Sequence, residues 1–413
     1  MNNRFISGCI TFLLGINFTT AQEILPLQHD TSYFKGEFIL HGDAFYHSNT
    51  IRTEFANTLL WGGYITDEMK DASLKNAAGR PRNRFGGTFS SGLEYRNYTV
   101  NLFGKEDWGF LVKAGYEIYA GAQFTRDAFS LLFKGNAHVT DNMADLTDLR
   151  FDQITYQKIG FGVVDKRSKS AISLNLVNAQ SFTKMHFVNG EYRQSPQTDS
   201  VSLLLKGDYS SASGGMSNGL GFALDADFRI EIPWGKAKTA YIRLKAENIG
   251  VAFFNNQTKN YSLDTMYRYS GFEISELTSS FGNGNEEFSL ADSLNIRPSE
   301  GGKAVWLPGY IQLAKIVDRT NPAKLQPFFG INVYTNAIYL PQVFAGIHYQ
   351  PHPVIAIGAQ ASYGGFGELR GGFYLDLKLG QFYLGLGTQD VYGAVSKNGL
   401  GQSLTGRITW KID

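Results

Sequence analysis

The chain has 413 residues, with 38 Lys and Arg against 37 Asp and Glu, and its formal net charge of +1 gives no electrostatic reason to expect nucleic acid or a strongly acidic partner. Only 18% of residues are charged, 14% are aromatic and 46 are glycine, a mixture suited to strands, girdles and tight turns. Mean hydropathy is −0.20, and no run of about 18 apolar residues follows the N-terminus, which excludes a bundle of transmembrane helices.

Residues 1–21 read as a cleavable signal peptide. Arg4 supplies the positive region, Phe5 to Phe18 the apolar stretch, and Thr19-Thr20-Ala21 the small-residue site before Gln22. Ile6-Ser7-Gly8-Cys9 superficially resembles a lipoprotein box, but too few apolar residues precede it. Cys9 is the sequence's one cysteine, so the expected mature chain, 22–413, offers neither a disulfide scaffold nor a thiolate nucleophile.

Candidate strands follow near 34–61, 85–96, 108–119, 120–134, 151–164, 170–180, 181–194 and 200–207. Between the first two, Asp67 to Asn76 reads as a short helix. The basic Gly79-Arg80-Pro81-Arg82-Asn83-Arg84 reads as a solvated loop, with lipid phosphate as its sharper alternative.

The alternation is strictest from Leu220 to Ile232. One face carries Leu220, Phe222, Leu224, Ala226, Phe228, Ile230 and Ile232; the other includes Asp225, Asp227, Arg229 and Glu231. After Pro233-Trp234-Gly235 the pattern resumes, with Ile242, Leu244 and Ala246 against Arg243, Lys245 and Glu247. Successive strand side chains point to opposite faces, so each segment is apolar outside and charged inside. Opposite charges on the two strands are expected to form cross-strand pairs. Residues 255–302 form one long insertion, either a lid, plug or docking surface or a plain disordered surface loop, in which Ile274–Phe281 and Glu286–Leu294 could each form a short helix.

Strands near 304–316, 327–335, 341–350, 353–362, 370–379, 380–387 and 403–412 complete the chain. Asp376, Lys378, Arg407 and Lys411 fall on their polar faces. A chain ending on an amphipathic strand needs a first strand to pair with, and a closed wall supplies it. The fold expected is therefore all-β: a transmembrane antiparallel barrel of about 14 strands, with 12 to 16 allowed. Working back from the last strand, Thr388–Gln402, Tyr363–Gly367 and Asn255–Gly302 should lie at one end, and Gly380-Gln381, Gln350–Pro353 and Pro233–Lys238 at the other.

The inward charges are the candidate lumen lining: Asp225, Asp227, Arg229, Glu231, Arg243, Lys245, Glu247, Asp376, Lys378, Arg407 and Lys411. Balanced signs favour a salt-bridged interior over an ion-selective pore. His348 and His352 are separated by Pro351, which removes the helical face of a metal clip. His29, His41 and His47 cluster only loosely, and no metal, cofactor or catalytic centre is expected. Trp61, Trp108, Trp234, Trp306, Phe328, Phe329, Tyr339 and Trp410 are expected in interfacial belts.

Tyr334-Thr335-Asn336, Leu340-Pro341, Ala345-Gly346-Ile347-His348-Tyr349 and Ile357-Gly358-Ala359 resemble an uncharacterised family of Bacteroidota outer-membrane barrels, related to PorV and FadL-like barrels. Gly135-Asn136, Tyr156-Gln157 and Tyr269 to Ile274 fit the same pattern. The resemblance implies about 14 strands and a Bacteroidota source. It leaves two functions open: passage of small or amphiphilic solutes, or a scaffold for envelope protein partners, in either case surrounded by outer-membrane lipid. A FadL-type channel also needs an N-terminal hatch in its lumen, and here only the short polar stretch from Gln22 to Tyr33 precedes the first strand, a departure from that pattern.

Overall fold

The computed structural model describes residues 28–30, 32–139, 143–195, 200–213, 215–234, 239–269, 298–319, 321 and 323–413. In chain order the first strands are β1 (Gln28–His29), β2 (Gly36–Ser48), β3 (Asn83–Asn97), β4 (Trp108–Phe124), β5 (Met143–Asp145), β6 (Leu149–Asp165) and β7 (Ala171–Gln194). Next come β8 (Val201–Ala212), β9 (Gly219–Pro233), β10 (Thr239–Phe254), β11 (Lys259–Tyr269), β12 (Ser299–Glu300), β13 (Lys303–Trp306) and β14 (Gly309–Asp318). The last are β15 (Leu325–Thr335), β16 (Gln342–His352), β17 (Ile355–Gly364), β18 (Arg370–Leu379), β19 (Phe382–Thr388) and β20 (Gly401–Ile412). The helices are α1 (Thr53–Trp61), α2 (Asp67–Ala77), α3 (Arg126–Lys134) and α4 (Val391–Val395).

Fourteen strands close a transmembrane antiparallel barrel: β2, β3, β4, β6, β7, β9, β10 and β14 to β20. The closing seam joins the first and last of them, from Gly36↔Ile412 to His47↔Gly401. The outside follows the alternation. Leu220, Phe222 and Ile230 stay about half exposed or more, while Ala223, Asp225 and Asp227 are buried inside. A closed wall with an apolar exterior satisfies its backbone internally, as a hydrocarbon environment demands.

Turns of two residues join β16 to β17 and β18 to β19, and the longer connections gather at the opposite end. We call these the turn end and the loop end. The six connections placed from the sequence fall on the ends expected of them. The residues of the proposed signal peptide, and 270–297 with both helices expected there, lie outside the described residues.

One side of the wall is taller. β7 has 24 residues. Its first half pairs with β9, and its second half pairs with β8, which pairs in turn with β11. The stretches read as 170–180 and 181–194 are therefore one strand. A bulge at Gln180 shifts the register against β6 without ending the strand.

Two expected strand ends are helices instead. Residues 53–61 bury Phe55, Ala56, Leu59 and Leu60, a spacing of three and four that lines one helix face, and Gly62 ends the helix at φ 83°. Residues 126–134 are capped by the Thr125 hydroxyl, which accepts from Ala128 N at 3.0 Å. α2 matches the helix expected from Asp67, with Thr66 as its cap. Phe55, Leu59, Leu60, Phe124, Phe129, Leu74 and Leu146 pack into one cluster that roofs the loop end. The basic stretch is an irregular connection, as expected, with Gly79 and Pro81 exposed, and Arg80 and Arg82 are ion-paired with Glu368 and Asp148 at the edge of this roof.

Candidate functional site: a charged chamber between two closures

The lumen is interrupted below the helical roof by an aromatic plug. The Gly364–Arg370 connection folds inward and buries Phe366 completely. Its ring meets Tyr339 edge-on at 5.2 Å and lies 6.2 Å from Tyr119 and 6.3 Å from Phe45. Gly86 makes room for it, because a Cβ there would stand 2.4 Å from the Phe366 ring. Ile338 N donates to the Tyr119 hydroxyl at 2.6 Å, pinning the neighbouring loop.

The turn end is crossed by residues 28–30 and 32–35. β1 pairs in parallel with β14, Gln28↔Val317 and His29↔Asp318, and Lys35 N then reaches Ile412 O on β20. Between them the Asp30 carboxylate is ion-paired with Lys411. Phe34 packs edge-on against Tyr98 at 5.1 Å, and the Lys169 ammonium sits 4.4 Å from the Phe34 ring and 3.8 Å from that of Tyr98. These residues form a strap across the turn-end mouth, a role the sequence of this polar segment did not announce.

Between plug and strap lies a chamber of about 170 Å³. Its lining includes Asp225, Asp227, Arg229, Arg243, Lys245, Glu247 and Arg407 from the expected set. The other four lie away from it. Glu231 and Lys378 are exposed, whereas Asp376 and Lys411 are buried. Sequence reading missed Glu94, Arg96, Lys113, Glu117 and Lys158, which share the lining. Their alternation with the exposed Leu93, Val112 and Ile159 was the available signal.

The expected cross-strand pairing of opposite charges forms, but on the diagonal and not between facing positions. The ladder sets Arg243 opposite Arg229, not opposite an acid. Arg243 instead reaches diagonally to Asp227, Nε to Oδ1 at 2.7 Å, and Lys245, which faces Asp227, pairs with Glu247 at 2.8 Å. A bulge at Asn248, φ 58°, shifts the register beyond Ala246, and Asn248 N donates to Asp225 Oδ1 at 2.6 Å. Other pairs reach between strands that are not neighbours. Lys113 on β4 binds Asp225 on β9, Lys158 on β6 lies 3.7 Å from Asp225, and Arg96 on β3 lies 4.0 Å from Asp227. The ion pairs tie walls together across the interior.

The opposite side of the lumen is filled. His348 Nδ1 lies 2.7 Å from the Tyr374 hydroxyl, and Phe328 packs beside Tyr374. Phe328 and Tyr339 are thus interior residues, not members of a belt, while Trp108, Trp234, Trp306, Phe329 and Trp410 are exposed, as is Trp61 at the end of α1. His29 and His47 are buried at opposite ends, and among the described residues no group of three His, Cys, Asp or Glu could hold a metal ion.

The model of a family of unknown function, DUF5723, matches residues 168–389, and the chain belongs to that family. No curated protein matches it. Among solved structures it is similar to the toluene transporter TbuX of Ralstonia pickettii, at 8% identity and TM-score 0.42, covering 92% of this chain and 90% of that one. It is also similar to the toluene transporter TodX of P. putida, at 9% identity and TM-score 0.36, covering 92% and 91%. The translocator domain of the autotransporter NalP from Neisseria meningitidis shows 7% identity and TM-score 0.30, covering 100% and 96%. At such scores none of these proteins' activities transfers to this chain.

Proposed function

We propose that the protein is an outer-membrane transporter for small or amphiphilic solutes, exported by a signal peptide and closed at rest. The supporting observation is the hollow charged chamber between a plug and a strap, each made of a short segment resting on the wall. Neither closure is a strand of the barrel, so both can leave without opening its ladder. No catalytic or cofactor role is proposed. In planar bilayers the intact chain should rarely conduct, and a chain carrying Phe366→Ala and lacking residues 28–34 should show discrete steps. Continued silence of the doubly opened barrel would defeat this reading.

A second reading is a non-conducting scaffold for envelope proteins. The ion pairs across the lumen and the tall side of the wall, β7 with β8 and β11, favour it. Co-purification of stoichiometric partners with a silent barrel would select it.

A further inference from the structure

A line of buried side chains runs from the plug to the strap. The Tyr339 hydroxyl donates to Gln342 Oε1 at 3.0 Å, and Asn332 Nδ2 donates to the same oxygen at 3.1 Å. Gln312 Nε2 donates to Asn332 Oδ1 at 3.0 Å, and Arg243 Nη1 donates to Gln312 Oε1 at 3.4 Å. A guanidinium has donors and no acceptor, so Arg243 dictates that Gln312 presents its oxygen. The Gln312 nitrogen must then point to Asn332, and the Asn332 nitrogen to Gln342. All the amides of the chain run head to tail in one direction, an arrangement in which each bond polarises the next.

Below Arg243 the line continues through Asp227, which lies 4.0 Å from Arg96. Arg96 Nη1 donates to the Lys169 carbonyl at 3.4 Å, and the Lys169 ammonium lies over the rings of Phe34 and Tyr98. Tyr339 packs on Phe366, so one end of the line touches the plug and the other the strap.

We propose that this polarised amide chain couples the two closures, so that releasing Tyr339 from Gln342 loosens the strap at the far end. The inference deepens the transport reading and rests on it for its purpose. Its physical basis is that Gln342 Oε1 is shared between Tyr339 and Asn332 while the Gln342 nitrogen donates to Gln389, so losing the Tyr339 donor leaves the oxygen to Asn332 alone and re-seats the amides beyond it.

Cys9 is the sequence's one cysteine, so a full chain carrying Cys9→Ala and Tyr33→Cys has a single spin-label site, on an exposed position of the strap. Tyr339→Phe removes the hydroxyl and keeps the ring. The mobile fraction of the spectrum at position 33 should rise about fivefold. In an Asn332→Leu background, Tyr339→Phe should add nothing further. A spectrum indifferent to Tyr339→Phe, or a full response persisting with Asn332→Leu, overturns the coupling. Should Asn332→Leu fail to fold, Gln312→Met serves the same purpose. The label reads the strap without any solute, so silence in bilayers would remove the transport reading and leave this result intact.

Discussion

Arg229 stands directly across the β9–β10 ladder from Arg243, and both guanidiniums close on one carboxylate, Asp227, at 3.2 and 2.7 Å. Two like charges facing each other repel, and the carboxylate between them makes the arrangement tolerable. Asp227 also lies 4.0 Å from Arg96, so three arginines share one acid.

Asp227→Asn should therefore be among the most damaging isosteric changes in the lumen. It leaves buried guanidiniums uncompensated, at a cost of about 3–5 kcal/mol. The check is the temperature at which the folded, fast-migrating gel band converts to the unfolded form. Arg229→Gln in the same chain should recover part of the loss, because the facing like charge is gone.

Gly86→Ala should expel the plug. Its new methyl would stand 2.4 Å from the Phe366 ring and 2.6 Å from Ala120 O, and overpacking of this kind costs about 1–3 kcal/mol. Phe366→Leu, placed in the Gly86→Ala chain, should return part of that stability in urea titrations. Equal loss with and without the second change would place the strain in the backbone alone.

The strap carries an acid-sensitive tie. Burial opposes ionisation of Asp30, but the bond and charge of Lys411, with help from Ser32, hold its carboxyl well below the usual range. A depressed folded value means that the tie stabilises above the ordinary 3.8 and is lost as pH falls below it. Acidification should weaken the tie progressively below about 4 and free the strap to protease added at the turn end only well below that pH. Asp30→Asn should show that cleavage already at neutral pH.

Lys169 should act in the opposite range. Its burial, with the Arg229 and Lys411 charges, brings it down to about 8 against the pull of Glu37. Between about 8 and 10.5 the unfolded chain holds a proton that the folded chain has shed, so stability rises with pH, by at most about 1.4 kcal/mol per unit. Urea midpoints at pH 8 and pH 10 should differ in that direction, and Lys169→Met should flatten the difference.

The wall was legible because its rule is local. Leu220 to Ile232 alternates with no reference to any other strand, and the apolar set of that segment does face outward. The helix α2 was legible because Thr66, Asp67 and Glu68 mark its start. What sequence could not supply was position across the lumen. Alternation places Lys113 and Asp225 inside, but only closure of the wall brings β4 and β9 together. Phe366 was hidden similarly, because Gly364-Gly365-Phe366-Gly367 reads as a turn, and whether a turn bends inward depends on the space left by Gly86. α1 was misread as strand because its apolar residues at 55, 56, 59 and 60 follow directly on the β2 pattern.

β7 extends for 24 residues, whereas about 10 tilted residues suffice to span a hydrocarbon layer. More than half of that strand, with β8 and β11 beside it, must stand clear of the lipid on one side only. The rim therefore slopes like a parapet, giving the molecule a front and a back. A molecule moving along the bilayer surface would meet the high rim on that side and the helical roof on the other.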